Sequence, residues 1–576
     1  MSLGGQWRII RHYLSLSNLN SEVEKLVQKL KPATPEQWEK LLATIQKAVP
    51  VQVMRETKSE EKKDDKDYSK ATTIDSVEGK DEKSEEKPSP PALSVGSEAK
   101  DITFEGFLQG LKLKKDLHFG KISDSSWKSK KPIVNKSSIH SRTAYVISAI
   151  ITAETLECLT KRTEHFIDHL KQYPEARDYA IKEGAVRALL RVHNGLRDDE
   201  PPTQQAMGVV REALALVGYT GPTKGPGPNI LSLDGGGIRG LIAIEILRHL
   251  ERLTGRSVND LFDYIIGVST GAIIAAVIGS GVGNLETASR MYHTLSKEMF
   301  GNTSLIGGTS RLVWTHSYYD TDAWEKMLQD NLRDCTLTQC NRYNSPKMAL
   351  ISCVVNSGSR LTPFVFRSYE CGFRVRSALP GTSRARLWHA VRASAAAPTY
   401  FHEFKLDGLL HQDGGIMVNN PTGVGLHEAK LLFGADSLRQ ATVVSVGTGK
   451  ALTKHVDYRG LSSGVAGDAA GTSWKDKFNK ILDSATDTEG VHLIVNELLP
   501  PGAYYRFNPP LMQECAMDEV NPDKLNSLIT DTQAYIRRNQ HKFEQAAAML
   551  TRKRSMSQRV MDYVRYRTQV MGVQTN

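Results

Sequence analysis

Asn229-Ile230-Leu231-Ser232-Leu233-Asp234-Gly235-Gly236-Gly237-Ile238-Arg239-Gly240 opens the stretch that decides the fold, and Tyr264-Ile265-Ile266-Gly267-Val268-Ser269-Thr270-Gly271 closes it. In both, an apolar run ends in glycines and gives way to a helix-like pattern. Two such strand-to-helix units put both glycine turns at the carboxyl edge of one parallel sheet. The first turn offers the backbone N–H groups of Gly235 to Gly240. The second presents Ser269, flanked by Gly267-Val268 and Thr270-Gly271. A Gly-x-Ser-x-Gly by itself arises by chance in roughly one chain of this length in four or five. Here the serine follows a strand and precedes the small-residue run Ala272-Ile273-Ile274-Ala275-Ala276. That is the setting of a nucleophile elbow, where the flanking glycines relieve crowding and the helix N-terminus favours negative charge.

The glycine run has a competing meaning. Gly235, Gly237 and Gly240 also fit the Gly-x-Gly-x-x-Gly of dinucleotide binding, which wants an acid about 20 residues later at the end of the second strand. Asp260 and Asp263 come before that strand, not at its end. An oxyanion hole is the alternative, with each donor worth about 3–4 kcal/mol to a tetrahedral intermediate. A second strand ending in a serine elbow favours it. The serine needs a base. His389, His402 and His411 stand in no recognisable context, whereas Asp413-Gly414-Gly415 would let the backbone bend close to the elbow and aim Asp413 at Ser269. Partial burial would raise the carboxylate's pKa and make it a better base.

Outward from this centre, apolar strands alternate with helical patterns, which predicts an α/β sandwich with a largely parallel sheet. Strands are expected at 230–234, 263–267, 348–355, 362–367 and 441–446, and helices at 240–253, 270–279, 285–298 and 321–332. Residues 459–472 read as a loop, and 474–498 and 523–549 as helical. Upstream, Gly221-Pro222-Thr223-Lys224-Gly225-Pro226-Gly227-Pro228 marks a boundary. Amphipathic helices fill 139–220, where 183–190 and 213–219 read as partial armadillo-type repeats or as a plain packed helical domain. Residues 55–100 are rich in Lys, Glu, Asp and Ser and cannot offset their ordering entropy by burial. Lysines crowd 101–137. Residues 1–21 lack acids and place Leu3, Trp7, Ile10 and Leu14 on one helical face, which suits a mitochondrial-type targeting helix or an ordinary surface helix. The expected organisation is N-terminal helices at 1–54, a charged disordered linker and basic segment at 55–137, a helical domain at 138–222, a catalytic core at 229–425 and an extension with a basic tail at 426–576.

The whole chain has 576 residues, 40% hydrophobic and 24% charged, with a net charge of +10. That balance suits an anionic surface, membrane or nucleic acid, and no nucleic-acid reading module accompanies it. The six cysteines include no C-x-x-C pair, so neither a zinc site nor a disulfide framework is indicated. Tyr264 to Leu285 carries no charge, but its five glycines suit a strand and a buried helix better than a membrane span.

Taken together, Asp-Gly-Gly-Gly-Ile-Arg-Gly, Gly-Val-Ser-Thr-Gly and Asp-Gly-Gly-Ile resemble the patatin-like phospholipases in content, order and spacing. The likeness extends to Arg392-Ala393-Ser394-Ala395-Ala396-Ala397-Pro398 and Val444-Ser445-Val446-Gly447-Thr448-Gly449. With Thr486-Asp487-Thr488-Glu489-Gly490 and Tyr505-Arg506-Phe507-Asn508-Pro509, it looks most like the calcium-independent phospholipase A2-gamma branch, over about 140–550. The resemblance implies a three-layer α/β sandwich with a mostly parallel sheet, preceded by the helical, armadillo-like domain. It implies a Ser–Asp dyad of Ser269 as nucleophile and Asp413 as base, without histidine, metal or cofactor. The amides of Gly235, Gly236, Gly237, Ile238, Arg239 and Gly240 would form the oxyanion hole. The expected reaction is calcium-independent release of fatty acid and lysophospholipid from membrane glycerophospholipids. Lysophospholipase, acyltransferase and neutral-lipid activities, or an inert lipid-binding scaffold, remain open alternatives. An anionic membrane surface is the expected partner, and the helical domain offers a face for a protein partner or a second copy. A mitochondrial or ER membrane is the expected location. The ending Val573-Gln574-Thr575-Asn576 is not a peroxisomal tripeptide.

Overall fold

A computed structural model describes residues 135–196, 200–281, 283–301, 319–398, 400–451, 488–513 and 515–571. The expectations for 1–54, for nearly all of 55–137, for the 459–472 loop and for 474–487 lie outside these residues.

Helices come first: α1 Lys136–Ile151, α2 Leu156–Gln172, α3 Ala176–Lys182, α4 Ala185–Gly195 and α5 Pro201–Leu216. Asn135 and Thr155 cap α1 and α2 by accepting the N–H groups of Ser137 and Cys158, each cap worth about 1 kcal/mol. Their apolar faces close on a core of their own, with Phe166, Ile167, Leu189 and Val209 fully buried. The two stretches that suggested an armadillo repeat are not equivalent. One enters α4 through left-handed Gly184, and the other is the last turn of α5, leaving through left-handed Gly218. The helical domain is therefore established, and the armadillo repeat is not.

The α/β region follows as β1 Asn229–Leu233, α6 Gly240–Thr254, β2 Tyr264–Val268, α7 Thr270–Gly279, α8 Leu285–Thr294, α9 Thr321–Leu332, β3 Lys347–Val354, β4 Thr362–Arg367, β5 Gly381–Thr382, α10 Leu387–Ser394, β6 Phe404–Leu406, β7 Leu409–Asp413, α11 Thr422–Phe433 and β8 Thr442–Val446. Then come β9 Lys450–Ala451, α12 Glu489–Leu498, β10 Tyr504–Phe507, β11 Pro510–Leu511, α13 Pro522–Arg538, α14 Gln540–Leu550 and α15 Met556–Met571. The main sheet runs β10-β8-β1-β2-β3-β4-β5, parallel from β10 to β3 and antiparallel at β4, with β7 and β6 added beside β3.

Period-two alternation divides the strands between two cores. Leu231, Leu233 and Ile265 pack under α6, α7, α13 and α14, while Ile230, Tyr264, Ile266 and Val268 pack with Ala429 of α11 and Val495 of α12. This is the three-layer sandwich, and each such buried side chain contributes about 1.5–3 kcal/mol. The expected division at 425/426 falls inside α11. β8 and β10, beyond it, belong to the same sheet, β8 beside β1 and β10 at the edge beyond β8. The helix expected at 523–549 breaks at Asn539 into α13 and α14. Tyr566 and Val570 of α15 return to pack on the helical domain's core.

Candidate active site

Strand register explains why Ser269 and Asp413 meet. β2 ends with Val268 opposite Ile351 of β3. β4 occupies the other edge of β3, so β7 continues along the edge that β2 has vacated, with Asp413 opposite Ser352. Ser269 and Asp413 thus leave two strand ends that face each other, and Ser269 Oγ donates to Asp413 Oδ2 at 2.5 Å. Among the described residues the partner of Ser269 Oγ is this carboxylate and not a histidine.

Ser269 sits at φ 52°, ψ −118°, a conformation costing a non-glycine residue about 1–3 kcal/mol. The surroundings fix it. Its N–H donates to Ser394 Oγ at 2.9 Å, and Ser394 Oγ donates to the Ile351 carbonyl at 2.5 Å. A Cβ on Gly267 would overlap the Gly271 carbonyl, and one on Gly271 would overlap that of Leu233, so both must be glycine for the turn to close. Val268 is fully buried, and the Thr270 hydroxyl donates to the Gly237 carbonyl at 2.5 Å.

Asp413 is anchored on every side. Its N–H donates to the Ala396 carbonyl at 2.9 Å and that of Gly414 to the Ser394 carbonyl at 3.2 Å. Asp413 Oδ1 accepts the Gly415 N–H at 2.7 Å. Burial pushes the carboxyl up to about 6, while the hydrogen bonds from Ser269 and Gly415 pull the other way.

The glycine run passes beside Ser269: a Cβ on Gly235 would stand 3.3 Å from that of Ser269. It is not a uniform row of free amides. The Gly235 N–H donates to Asn419 O, Ile238 to Met517 O and Arg239 to Gly236 O, and Gly240 is spent closing the turn onto Gly237 and Ile238. Gly236 and Gly237 are the members whose N–H groups meet no acceptor among the described residues. Of the six amides expected as an oxyanion hole, four are thus engaged within the protein. The loop is pinned by Thr448 Oγ1 on the Gly235 carbonyl at 2.7 Å and by Asp234, whose carboxylate pairs with Arg506 at 2.6 Å.

The competing readings find no geometry. Asp263 accepts the N–H groups of Lys224 and Asn229 at the amino end of the sheet, and Asp260 accepts the Ser257 hydroxyl. Neither stands where a ribose would lie. His411 is buried in β7 with Nδ1 2.9 Å from Ser352 Oγ, and burial lowers it to about 4. Among the described residues no three His, Cys, Asp or Glu side chains are grouped to hold a metal ion.

Sequence reasoning missed the supporting roles of Ser394, Asn419, Thr448 and Arg506, and also the strand that carries Asp413. A signal existed: Asp407-Gly408 between Phe404-Lys405-Leu406 and Leu409-Leu410-His411 is a type I′ hairpin turn, and the two residues take φ 49° and 83°.

Residues 231–426 match a family model described as patatin-like phospholipase. Over 438 residues the chain is 38% identical to the calcium-independent phospholipase A2-gamma of Oryctolagus cuniculus, covering 76% of this chain and 53% of that protein. The Homo sapiens protein of the same name is 38% identical over 76% of this chain and 54% of its own length. Phospholipase A I of Arabidopsis thaliana is 28% identical, over 56% of this chain and 28% of its own. The chain thus spans about half the length of the mammalian relatives. Residues 231–426 thus form a patatin-like domain, and the likeness to the mammalian proteins reaches beyond it.

Proposed function

We propose that the protein is a calcium-independent phospholipase that hydrolyses fatty-acyl esters of glycerophospholipids through Ser269 and Asp413. The observation that carries this is the 2.5 Å contact between the two, made by a strained serine beside Gly235, whose neighbours Gly236 and Gly237 offer the two amides. Ser269 Oγ attacks the ester carbonyl as Asp413 takes its proton, and the two amides hold the oxyanion. Collapse of the tetrahedral intermediate expels the lysophospholipid, which receives the proton. Water, deprotonated by Asp413, then attacks the acyl-serine and releases fatty acid. The names of the relatives support the substrate class and the lack of a calcium requirement. The test is fatty-acid release from phosphatidylcholine vesicles in EGTA. An absence of release, together with no fluorophosphonate labelling of Ser269, would leave an inert scaffold.

A base must be ionised to act. With Asp413 pushed up to about 6, kcat/KM is expected to rise about tenfold per pH unit below 6 and to level above it. A profile flat from about pH 5 to 8 would remove Asp413 from the base role.

Docking onto an anionic membrane, in keeping with a mitochondrial or ER location, is part of the same proposal. On and before α15, Arg552, Lys553, Arg559 and Arg565 are exposed beside exposed Met556, Val560, Met561 and Val564. Each cation near such a surface contributes about 1 kcal/mol. Binding to vesicles containing phosphatidylserine should weaken at least about tenfold between roughly 0.1 M and 1 M salt, as the Debye length falls from about 10 to 3 Å. Indifference to salt would exclude electrostatic docking by this tail.

A further inference from the structure

The turn from Gly447 to Lys450 joins two places. Thr448 pins the glycine run, while Gly449 donates its N–H to Asn508 Oδ1 at 2.8 Å and Gly447 lies against Asn508 and Arg506. Beyond Arg506 opens a cavity of about 430 Å³, whose wall contains neither Ser269 nor Asp413. Its charged lining is Lys450, Glu489, Arg506, Arg538 and Lys542, with the titratable His492 and Tyr535 beside them. Glu489 is already engaged, accepting from Asn508 at 2.9 Å and lying 3.4 Å from Arg506 and 3.5 Å from Lys450. Asp234, beneath Arg506, is the other carboxylate of the cluster. Four cations therefore stand against two carboxylates, one in the wall and one buried beneath it.

The surplus is concentrated. Lys542 Nζ donates to the Arg506 carbonyl at 2.6 Å and Arg538 Nε to that of Ala534 at 3.3 Å. Neither has a carboxylate partner among the described residues. Arg506 is 4% exposed, and its Nε is buried without an acceptor among the described residues. Burial, seconded by Arg506, pushes the Lys542 amine down; Glu489 opposes this and Lys450 adds to it. A buried arginine and a half-buried lysine, flanked by the exposed Lys450 and Arg538, gain from an arriving anion, because charge-assisted hydrogen bonds replace mutual repulsion. Convergent ammonium and guanidinium donors with a surplus of two charges suit a tetrahedral dianion, and the volume leaves room for the group that carries it.

We propose that this pocket binds a phosphomonoester dianion, presented by a lipid headgroup or free in solution. The site stands apart from the dyad and does not rest on the hydrolase reading.

Calorimetric titration of the full chain with inorganic phosphate is the first arm, run on wild type, Ser269→Ala, Lys542→Gln and Lys542→Arg. The second arm is co-sedimentation with vesicles of nine parts phosphatidylcholine to one part phosphatidic acid. Saturable phosphate binding is expected in wild type and equally in Ser269→Ala, weakened about tenfold or more in Lys542→Gln and retained in Lys542→Arg. Weakening of Lys542→Gln in both arms would identify a lipid headgroup as the ligand, and in the first arm alone a soluble phosphate. Absence of saturable phosphate binding by wild type, or equal binding by Lys542→Gln, would overturn the proposal. Circular dichroism of the Lys542→Arg and Lys542→Gln variants separates lost binding from lost fold.

Discussion

Ser269→Ala is expected to lower fatty-acid release by about four to six orders of magnitude, and Asp413→Asn by about four, because nucleophile and base act as one unit. The same two proteins should differ in fluorophosphonate labelling, absent in the first and slow in the second. Stability separates lost chemistry from lost fold. The folded carboxyl of Asp413 sits at about 6, above its unfolded value. The native state therefore binds the proton more tightly, and rising pH removes stability between about 4 and 6. The neutral amide introduced by Asp413→Asn would carry no such penalty and would still accept the Gly415 N–H. Asp413→Asn should accordingly match wild type at pH 4 and exceed it by about 1–3 kcal/mol at pH 8. Urea denaturation at the two pH values checks this. Full hydrolytic activity in Asp413→Asn would point to a different base and undo the dyad.

Those two residues were legible because each lies in a short motif whose glycines have a steric reason to be there. β1 and β2 follow from apolar runs that end in turns, and their observed limits differ from the expected ones by a residue. What brings Asp413 to Ser269 is not local. It depends on β7 taking up the edge of β3 where β2 stops, and Leu409-Leu410-His411-Gln412 has no alternation to announce a strand. The oxyanion amides show the same limit. Composition marks Gly235 to Gly240 as a turn, but Asn419 and Met517, more than 180 residues away in sequence, decide which N–H groups are spent. The armadillo reading gains no support for a related reason: similar apolar content can begin one helix and end another.

Arg506→Met should be the most destabilising single change near the site, costing about 3–5 kcal/mol. The pair it breaks is almost fully enclosed, with Asp234 1% and Arg506 4% exposed. Arg506 Nη2 lies 2.6 Å from Asp234 Oδ2, and Nη1 donates to Ser445 Oγ at 3.0 Å. Methionine fills much of the volume but leaves the Asp234 carboxylate in a low-dielectric site with no cation. Asp234→Asn is the milder change, about 1–2 kcal/mol, because Arg506 keeps Ser445 and the half-buried Glu489. Combining the two should restore most of the loss, so a double-mutant cycle will be strongly non-additive. The sign of the pH dependence is fixed as well. Burial already holds Asp234 at about 6 against the pull of Arg506, and losing Arg506 raises it further, so both proteins lose stability as pH rises from about 4, the variant goes on losing it above about 6, and the two are closest in acid. A cost under about 1 kcal/mol, or one independent of pH, would mean that the enclosed pair contributes little. The consequence reaches the chemistry because Asp234 is both the last hydrogen-bonded residue beside β8, through its N–H on Val446, and the residue before Gly235. Loosening it frees the run that carries the Gly236 and Gly237 amides, so kcat should fall in Arg506→Met even under conditions where the protein remains folded.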